Sequence, residues 1–428
     1  MRTFINELEV NKPTKISGFI DRIRDTRYMV FVILRDITGH IQVSIDKGTM
    51  PEIAEQVLGV IAGSVVSFEG EKKENPAVKA GGVEFVPTSV EILSKAEAMP
   101  IDKDSSIDQK LDFRWIDLRE EKNTLIFKIQ SYLMESIKEF LYKNKFIEIH
   151  TPKLIGTASE SGADVFEVKY FDTKAYLAQS PQFYKQMAMA AGFERIFEIA
   201  PCFRAEKSYT NRHATEFTSF DLEFSYIDSF EDVMKMEEEM LTYALAKVKE
   251  KYGETIKEVF GTEVVVPTLP FPRMKLKDIY DEIEKRYGYT CPEEEKTDLT
   301  TEAERLTLKL AKDMFNHEFV FVTDYGPEKR AFYHMRKNGV LQGYDLIWRG
   351  IEITSGAQRE HRYEEIKKNA ESKGLGKDVE FYLQFFKYGM PPHGGFAIGV
   401  DRLTMLLLNI PTLKEAEFLF RGPNRLNP

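Results

Sequence analysis

The chain has 428 residues, enough for two or three domains and a large hydrophobic core. Its formal net charge of −10 argues against indiscriminate binding to nucleic acid and leaves room for a local basic patch. With only two cysteines, an acidic N-terminal segment and no apolar stretch of membrane-spanning length, we expect a cytoplasmic protein without disulfides or a membrane anchor.

Residues 1–100 contain five segments rich in β-branched and aromatic residues, at 15–24, 29–35, 40–45, 65–72 and 83–93. A turn at 36–39 and a short helix over 51–58 complete the pattern. Five strands with one small helix are typical of a Greek-key barrel of the OB type, a fold that often binds single-stranded nucleic acid. By pattern alone, Phe31 in the second strand is predicted to be a core residue.

The next segment, 101–121, follows a proline and is polar, which predicts a linker or hinge. Apolar residues then recur at helical spacing over 122–145. The run 146–152 after this helix is predicted to be a strand that ends at Pro152. Taken singly, both elements are compatible with ordinary packing of a helix on its own sheet.

Two apolar alternating runs, 195–200 and 217–224, predict an antiparallel hairpin. The polar loop between them carries the charged residues Arg204, Glu206, Arg212 and His213. A guanidinium group here can bind a carboxylate or a phosphate through two parallel hydrogen bonds, which a lysine cannot do. The alternative interpretation is a solvated loop with ion-paired strand ends.

Near the C-terminus, the glycine-rich run 394–399 predicts a strand and a turn, followed by a helix with Arg402 in its first turn. Glycines permit a close approach of the backbone to a ligand, although tight packing would explain them equally well. The region 250–320 is rich in charged residues and prolines, and we predict that it is a helical insertion.

In this order, the segments resemble the three motifs of class II aminoacyl-tRNA synthetases. The helix with Pro152 is similar to motif 1, the hairpin with Arg204 to motif 2, and the strand and helix with Arg402 to motif 3. Further segments narrow the resemblance to aspartyl-tRNA synthetases of the compact archaeal and eukaryotic type, over essentially the whole chain: 113–119, 179–186 and 350–361.

The fold that this resemblance implies is of the α+β class. It consists of an OB-type β-barrel for anticodon binding over 1–100, the linker over 101–121, and an antiparallel-sheet catalytic domain over 122–428 that carries the insertion around 250–320. The resemblance also implies a homodimer, with motif 1 at its interface.

The implied activity is ATP-dependent ligation of L-aspartate to tRNA through an aspartyl-adenylate. Neither step needs a protein nucleophile, because alignment, neutralisation of phosphate charge and exclusion of water suffice. The positions that match ATP-binding residues of the family are Arg204, Glu206, Arg212, His213, Phe217, Glu352 and Arg402, with Arg204, Glu206 and Arg402 as the catalytic group. By this resemblance Arg204 holds the α-phosphate, Arg402 holds the γ-phosphate, and Phe217 stacks on adenine.

Magnesium is the implied cofactor, since it prefers carboxylates together with phosphate oxygens. The family's metal ligands correspond to Asp345, Glu352 and Ser355. Asp345 and Glu352 flank a predicted strand over 346–351, so a pair of sheet-edge acids is the alternative interpretation.

For the amino acid, Lys185 and Arg359 match the family's readers of the side-chain carboxylate. Residues that match or neighbour positions for the α-ammonium group are Glu160, Gln182, Asp221 and Ser355. In asparaginyl relatives the position of Lys185 is usually not lysine, so Lys185 favours aspartate.

For tRNA, the resemblance assigns the anticodon to Arg24, Phe31 and Gln42 of the barrel. Relatives restricted to aspartate tRNA often carry tryptophan near Asp21, where this chain has Phe19, so charging of asparagine tRNA stays open. Two competing functions stay open as well. One is an asparaginyl or amide-forming paralogue with the same adenylate chemistry, and the second is a non-catalytic RNA-binding protein, which would have lost the motif arginines.

Overall fold

The computed structural model describes residues 2–79, 81–156, 164–326, 330–375, 377 and 379–428. The chain divides into two compact units, Met1–Ile116 and Asp117–Pro428. The division falls inside the segment that the sequence predicts as a linker.

The five described strands of the first unit form a closed barrel in the order β1-β2-β3-β5-β4, with α1 between β3 and β4. Their bounds are β1 (Pro13–Asp25), β2 (Met29–Asp36), β3 (Gly39–Asp46), α1 (Pro51–Leu58), β4 (Val65–Glu74) and β5 (Val83–Ser94). The predicted OB-type barrel is therefore confirmed.

Strand β2 shows the alternation that closes the barrel around its core. Val30, Val32 and Leu34 are fully buried in the barrel's hydrophobic cluster. Phe31 points to the opposite face and is only half-buried, because successive side chains alternate across a strand. The prediction that Phe31 is a core residue is wrong.

The predicted linker is partly helical, with α2 (Ile107–Asp112) and α3 (Arg114–Asp117). Helix α2 begins with a capping box, in which the Ser106 side chain accepts from the Gln109 amide and the Gln109 side chain accepts from the Ser106 amide. This local signal gives the segment a defined structure despite its polarity.

In the described part of the second unit, eight strands form one mostly antiparallel sheet in the order β12-β13-β16-β17-β18-β11-β10-β6. The bounds of its strands are β6 (Ile147–Glu148), β10 (Arg195–Phe203), β11 (Glu216–Ser225), β12 (Arg273–Lys275), β13 (Phe319–Thr323), β16 (Gly343–Trp348), β17 (Ile351–Arg359) and β18 (His393–Gly399). Two smaller sheets are formed by β7 (Leu154–Ile155), β8 (Glu167–Tyr170), β9 (Thr173–Leu177), β14 (Arg336–Lys337) and β15 (Val340–Leu341).

Helices flank this sheet, with bounds α4 (Glu121–Lys143), α5 (Gln182–Ala190), α6 (Phe230–Phe260), α7 (Leu276–Tyr287), α8 (Thr301–Phe315), α9 (Tyr363–Ser372), α10 (Glu380–Lys387), α11 (Val400–Leu407) and α12 (Leu413–Ala416). The two long helices α4 and α6 pack on each other through aromatic pairs such as Tyr132 and Tyr252, whose rings are 5.6 Å apart. Gly261 ends α6 with a positive φ of 68°, which glycine adopts without strain.

Three sequence predictions need correction. The region 250–320 is not a purely helical insertion, because it starts inside α6 and supplies β12 and β13 to the edge of the main sheet. The strand predicted over 346–351 is two strands, β16 and β17, joined by a turn. After α4, the strand predicted to end at Pro152 is only the two residues of β6.

Glu237 of α6 is a buried acid that gives a testable pH effect. Burial raises its pKa to about 8, and the Tyr344 hydroxyl donates to its Oε2 at 2.6 Å. The unfolded chain releases this proton near pH 4.5, whereas the folded chain keeps it to about pH 8, so the free energy of unfolding falls as pH rises through this window.

We therefore expect Glu237→Gln, which stays neutral, to gain stability relative to the original chain as pH rises from 5 to 8.5, by about 1 kcal/mol or more. Urea unfolding of both proteins at several pH values measures this difference. Parallel curves of unfolding free energy against pH would contradict the assignment.

Candidate active site

A row of directly paired residues crosses the middle of the main sheet and forms the floor of the site. Asp345 on β16 pairs with Ser355 on β17, Ser355 pairs with Ala397 on β18, and Ala397 pairs with Asp221 on β11. Cross-strand partners share a face, so these side chains point to the same side of the sheet. The small Ala397 side chain leaves space between the polar groups on either side.

A β-bulge brings the Glu352 carboxylate onto this face. The register of β16 and β17 shifts between Leu346 and Ile347, so that Ile347 pairs with Glu352. Without the bulge, Glu352 and Ser355, three positions apart, would point to opposite faces. Their side chains are instead in contact, with Glu352 Oε1 3.3 Å from Ser355 Oγ.

Two glycines of β18, Gly394 and Gly395, serve strand packing. A Cβ atom on Gly395 would lie 2.1 Å from the Leu222 carbonyl oxygen and 2.5 Å from Glu223 Oε2. On Gly394 it would lie 2.7 Å from the Ala357 carbonyl oxygen. At Gly394 and Gly395 the structure favours tight packing over admission of a ligand, and at Gly395 this packing makes room for a buried carboxylate. Gly399, by contrast, lines the first cavity described below.

Two cavities lie side by side on this face. The first is lined by Arg204, Glu206, Arg212, His213, Phe217, Glu352, Ser355 and Arg402, together with apolar and small residues. The second is lined by Gln182, Lys185, Asp221, Ser355 and Arg359, and also by Arg330 and His334. Arg204, Ser355 and Ala397 line both cavities, so Arg204 lies where the two meet.

Two buried cations that line the second cavity, Lys185 and Arg359, are held by two buried acids. Lys185 Nζ lies 2.9 Å from Asp221 Oδ1 and 3.5 Å from Glu223 Oε2, and Arg359 Nε donates to Glu223 Oε1 at 2.9 Å. All four side chains are less than 5% exposed. Burial opposes ionisation of Glu223, but Arg359 and Lys185 hold its pKa below the ordinary value. The four charges sum to zero before any substrate binds.

In the first cavity, backbone carbonyl groups position the motif 3 arginine. Arg402 Nη1 donates to the Glu352 carbonyl at 2.7 Å, and its Nη2 donates to the Arg212 carbonyl at 3.2 Å. The Arg212 side chain forms an ion pair with Glu304 of α8.

Burial, with the nearby cations Arg402, Arg212 and Arg204, lowers the pKa of His213 to about 4, so this histidine is neutral at pH 7. Among the described residues that line this cavity, the arginines supply the positive charge.

Phe217 lies in the first cavity under the Arg204 guanidinium, whose central carbon is 5.2 Å from the ring centre. Glu206 is exposed at the cavity edge. Both residues are therefore within the same cavity as Arg402, as the resemblance implied. Glu160 lies outside the described residues.

Among the described residues, no group of three or more histidine, cysteine, aspartate or glutamate side chains is arranged to hold a metal ion. Arg330 donates to both carboxylate oxygens of Asp345, and Ser355 Oγ donates to Asp345 Oδ1 at 2.6 Å. Burial and the neighbouring Asp345 raise the pKa of Glu352 to about 7. The protein supplies two carboxylates and a hydroxyl at this point, fewer ligands than a complete magnesium site requires.

Sequence reasoning missed Arg330 and His334, which line the second cavity, and Glu223, the buried acid that contacts Lys185 and Arg359. Glu223 carried a signal, because it follows Asp221 by two positions on a strand and must share its face. Arg330 and His334 lie in irregular chain between β13 and β14, where no periodicity could indicate their direction. Burial, with Arg359 and Arg330 nearby, lowers the pKa of His334 well below its usual value.

In the first unit, the three residues assigned to the anticodon lie on the outer face of β1, β2 and β3. Arg24 pairs directly with Phe31, and its guanidinium carbon lies 4.6 Å from the Phe31 ring centre. On β3, Gln42 Nε2 donates to Ser44 Oγ at 3.1 Å, and Ser44 pairs with Phe31. The sheet therefore brings an aromatic ring, a guanidinium and an amide together on one surface.

Residues 106–420 match the family described as tRNA synthetases class II (D, K and N), and residues 14–93 match the OB-fold nucleic acid binding domain. The chain is 42% identical to an aspartate–tRNA(Asp/Asn) ligase of Methanopyrus kandleri, over 97% of this chain and 96% of that protein. It is 40% identical to an aspartate–tRNA(Asp) ligase of Pyrococcus furiosus, over 99% of each chain.

Solved structures with the same fold match this protein over its whole length. An asparaginyl-tRNA synthetase from Pyrococcus horikoshii, complexed with asparaginyl-adenylate, superposes with a TM-score of 0.90 at 29% identity and full coverage of both chains. An aspartyl-tRNA synthetase from Entamoeba histolytica gives 0.86 at 31% identity, covering 100% of this chain and 93% of that one. The chain belongs to the class II tRNA synthetases. Within that class it belongs to the D, K and N group and carries an OB-fold domain.

Proposed function

We propose that this chain is an ATP-dependent aspartate–tRNA ligase that acts through an aspartyl-adenylate. The observation that carries the proposal is the buried cation pair Lys185 and Arg359 in the cavity adjoining Arg204. An amino acid with a side-chain carboxylate gains from two fixed cations, whereas an amide gains less. The relatives from Methanopyrus and Pyrococcus furiosus are named for the same substrate.

In the first step, an oxygen of the aspartate α-carboxylate attacks the α-phosphorus of ATP, and the bond to pyrophosphate breaks. Arg204, where the cavities meet, holds the α-phosphate against the attacking carboxylate. Arg402 neutralises the γ-phosphate, Arg212 and His213 lie beside the phosphate tail, Phe217 stacks on adenine, and Glu206 accepts from the adenine amino group. In the second step, a hydroxyl of the terminal ribose of tRNA attacks the carbonyl carbon of the adenylate, and AMP leaves.

On the amino-acid side, Lys185 and Arg359 bind the side-chain carboxylate. Asp221 and Gln182 face the α-ammonium group, and Ser355 orders the floor between the cavities. Glu160 completes this side by resemblance to the family. Lys185, Asp221 and Arg359 are held by buried hydrogen bonds in the structure without substrate.

Mg²⁺ fits the first cavity if ATP supplies most of its ligands. Glu352 and Ser355 line this cavity and would hold the ion through their side-chain oxygens, with phosphate oxygens as its other ligands, whereas both oxygens of Asp345 already accept from Arg330. When bound, the ion neutralises charge on the phosphates. Ser355 Oγ has one proton and donates it to Asp345 at 2.6 Å, which leaves the Glu352 carboxylate as the acid available to a cation.

The test is pyrophosphate exchange with aspartate and asparagine in parallel, followed by aminoacylation of both tRNAs. We expect aspartate to drive exchange and asparagine to be a poor substrate. A preference for asparagine would overturn the proposal in favour of an asparaginyl paralogue. The absence of exchange with either amino acid would favour a non-catalytic RNA-binding protein.

Charging of asparagine tRNA with aspartate is a second candidate activity. Asp21, in the first barrel strand, accepts from Arg35 at 3.0 Å and contacts His40 at 2.8 Å, and Phe19 stands where stricter relatives often have tryptophan. The Methanopyrus relative is named for both tRNAs. Aminoacylation of purified asparagine tRNA in the same assay decides this point.

The barrel platform gives a separate prediction. Phe31→Ala is expected to weaken tRNA charging by about 1–3 kcal/mol, the contribution of one stacked base, and to leave tRNA-independent exchange unchanged. Because Phe31 lies outside the barrel's buried hydrophobic cluster, the melting temperature of the Phe31→Ala variant should differ little from that of the original protein. Val32→Ala, on the opposite face, is the control and should lose about 2 kcal/mol of stability. Equal loss of both activities in Phe31→Ala, with a large drop in melting temperature, would contradict the prediction.

We also propose a homodimer with a two-fold interface around β6 and Pro152. Among the described strands, β6 lies at the edge of the sheet, and Ile147 on it is 48% exposed. An open edge with an exposed apolar residue is suited to contact with a second copy. Light scattering at micromolar concentration should give twice the chain mass, and Ile147→Glu should give monomer. Tyr388→Ser is the control, because Tyr388 is exposed and lies at the end of α10 rather than on β6. An active wild-type monomer would refute the dimer.

We propose a cytoplasmic location, where tRNA, ATP and aspartate are available. Both cysteines, Cys202 and Cys291, are free and buried, in keeping with a reducing compartment. In the part of the chain that the structure describes, no helix has the length and apolar character needed to cross a bilayer.

A further inference from the structure

A buried series of hydrogen bonds connects Tyr382 of α10 and His393 of β18 to Gln182, which lines the second cavity. The Tyr382 hydroxyl of α10 donates to Gln186 Oε1 at 2.9 Å, and Gln182 Nε2 donates to the same oxygen at 3.2 Å. On the other side of that amide, Gln186 Nε2 lies 2.8 Å from His393 Nε2. None of these four side chains is more than 4% exposed. These hydrogen bonds are therefore isolated from solvent, so water cannot replace their partners.

One backbone carbonyl group determines which atoms donate and which accept in this series of hydrogen bonds. His393 Nδ1 lies 2.8 Å from the Pro391 carbonyl oxygen, which can only accept, so Nδ1 carries the proton. In the neutral imidazole Nε2 is then an acceptor, and Gln186 must present its N–H group to it. Burial lowers the pKa of His393 to about 4, which keeps the ring neutral near pH 7. The Gln186 oxygen consequently faces Tyr382 and Gln182.

Gln182 receives its orientation from this arrangement. Its Nε2 donates to Gln186 Oε1 and also lies 3.4 Å from Glu223 Oε2, both of which are acceptors. The amide nitrogen is thereby directed into the protein, and Oε1 is the atom left for the cavity that Gln182 lines. The two orientations of a free amide differ little in energy, so only its partners select one.

We propose that Tyr382, Gln186 and His393 are positioning residues that hold the Gln182 amide with its oxygen toward the α-ammonium group of the substrate. An ammonium group is a pure donor, and it needs an acceptor at this point. With the amide reversed, two N–H groups would face the ammonium cation. The inference rests on the proposed function, because it assigns an atom-level role within the amino-acid pocket of that enzyme.

The test uses Tyr382→Phe, which keeps the ring and removes one hydrogen bond, and Gln186→Met, which keeps the length and removes the amide. The matched control is Tyr280→Phe, since Tyr280 is also buried in a helix and donates to the Asp298 carbonyl at 2.7 Å. Pyrophosphate exchange gives the KM for aspartate, the KM for ATP and kcat, and thermal melting gives stability. Tyr382→Phe carries the test if Gln186→Met does not fold.

We expect the KM for aspartate to rise about ten-fold in Gln186→Met, the usual effect of losing one hydrogen bond to a charged group, here the bond from the ammonium to Gln182. The rise in Tyr382→Phe should be smaller but measurable, because His393 still orients Gln186. The KM for ATP should be unchanged in both variants. The control should melt lower, with both KM values unchanged. Asparagine carries the same ammonium group, so its affinity, measured by competition with aspartate in the exchange assay, should fall by the same factor, and the ratio of aspartate to asparagine affinity should stay constant.

An unchanged KM for aspartate in every one of these variants that folds, with a melting temperature lowered as in the control, would show that these hydrogen bonds only stabilise the fold. A changed ratio of aspartate to asparagine affinity would place the effect on Lys185 and Arg359, and would also overturn the inference. Failure of the proposed function is distinguishable, since the wild-type protein would then show no aspartate-dependent exchange.

Discussion

Lys185→Leu is expected to abolish the preference for aspartate over asparagine. Lys185 is 1% exposed and lies 2.9 Å from Asp221, so its charge is held in the cavity without competition from water. Removal of a charge-assisted contact to the substrate carboxylate should reduce the discrimination by about 2–4 kcal/mol. Kinetics of pyrophosphate exchange with each amino acid measure the ratio of kcat/KM values.

The same substitution leaves Asp221 and Glu223 with one cation between them, so the protein should also lose stability, by about 3–5 kcal/mol. Arg273→Leu is the matched control, because Arg273 contacts the buried Glu238 at 3.3 Å in a pair outside both cavities. It should destabilise the protein and leave the ratio of aspartate to asparagine efficiency unchanged. A ratio unchanged in Lys185→Leu would refute the assignment of Lys185.

Arg402→Ala should reduce adenylate formation by about 10²–10³-fold, the usual effect of removing one preorganised electrostatic group from a transition state. Two backbone carbonyls, those of Glu352 and Arg212, fix the guanidinium, so its position does not depend on bound ATP. Arg204→Ala should cause a loss of similar size, because Arg204 lines both cavities. Single-turnover formation of the adenylate, with circular dichroism to check the fold, measures both.

Arg349→Ala provides the control for these arginine variants. Arg349 also donates to backbone carbonyls, those of Leu406 at 2.8 Å and Glu263 at 3.2 Å, but it lines neither cavity. It should lower stability and retain adenylate formation. Near-normal rates in Arg402→Ala or Arg204→Ala, with intact circular dichroism, would mean that the ATP site lies elsewhere.

Local patterns in the sequence were sufficient for much of this fold. For the barrel strands and the motif 2 hairpin, most of the predicted ends lie within about two residues of the observed ends. This is because alternation and turn residues act over short distances. Phe31 shows the limit of that approach. Both faces of β2 carry apolar residues, so pattern alone could not tell which of them faces the interior of the barrel.

The resemblance supplied the site residues, and the sequence by itself determined their identities and their order along the chain. Only the tertiary structure decided how they act together. The bulge before Ser355 brings Glu352 to the floor of the site, Glu223 joins Lys185 to Arg359, and Gln186 sets the direction of the Gln182 amide. Gln182 and Gln186 are neighbours on α5, but the group that orients Gln186 is His393 on β18, 207 positions away. Glu223 and Arg359 likewise lie on different strands, 136 positions apart. Local propensity carries no information on such pairs, because register, bulges and burial are set when the whole sheet assembles.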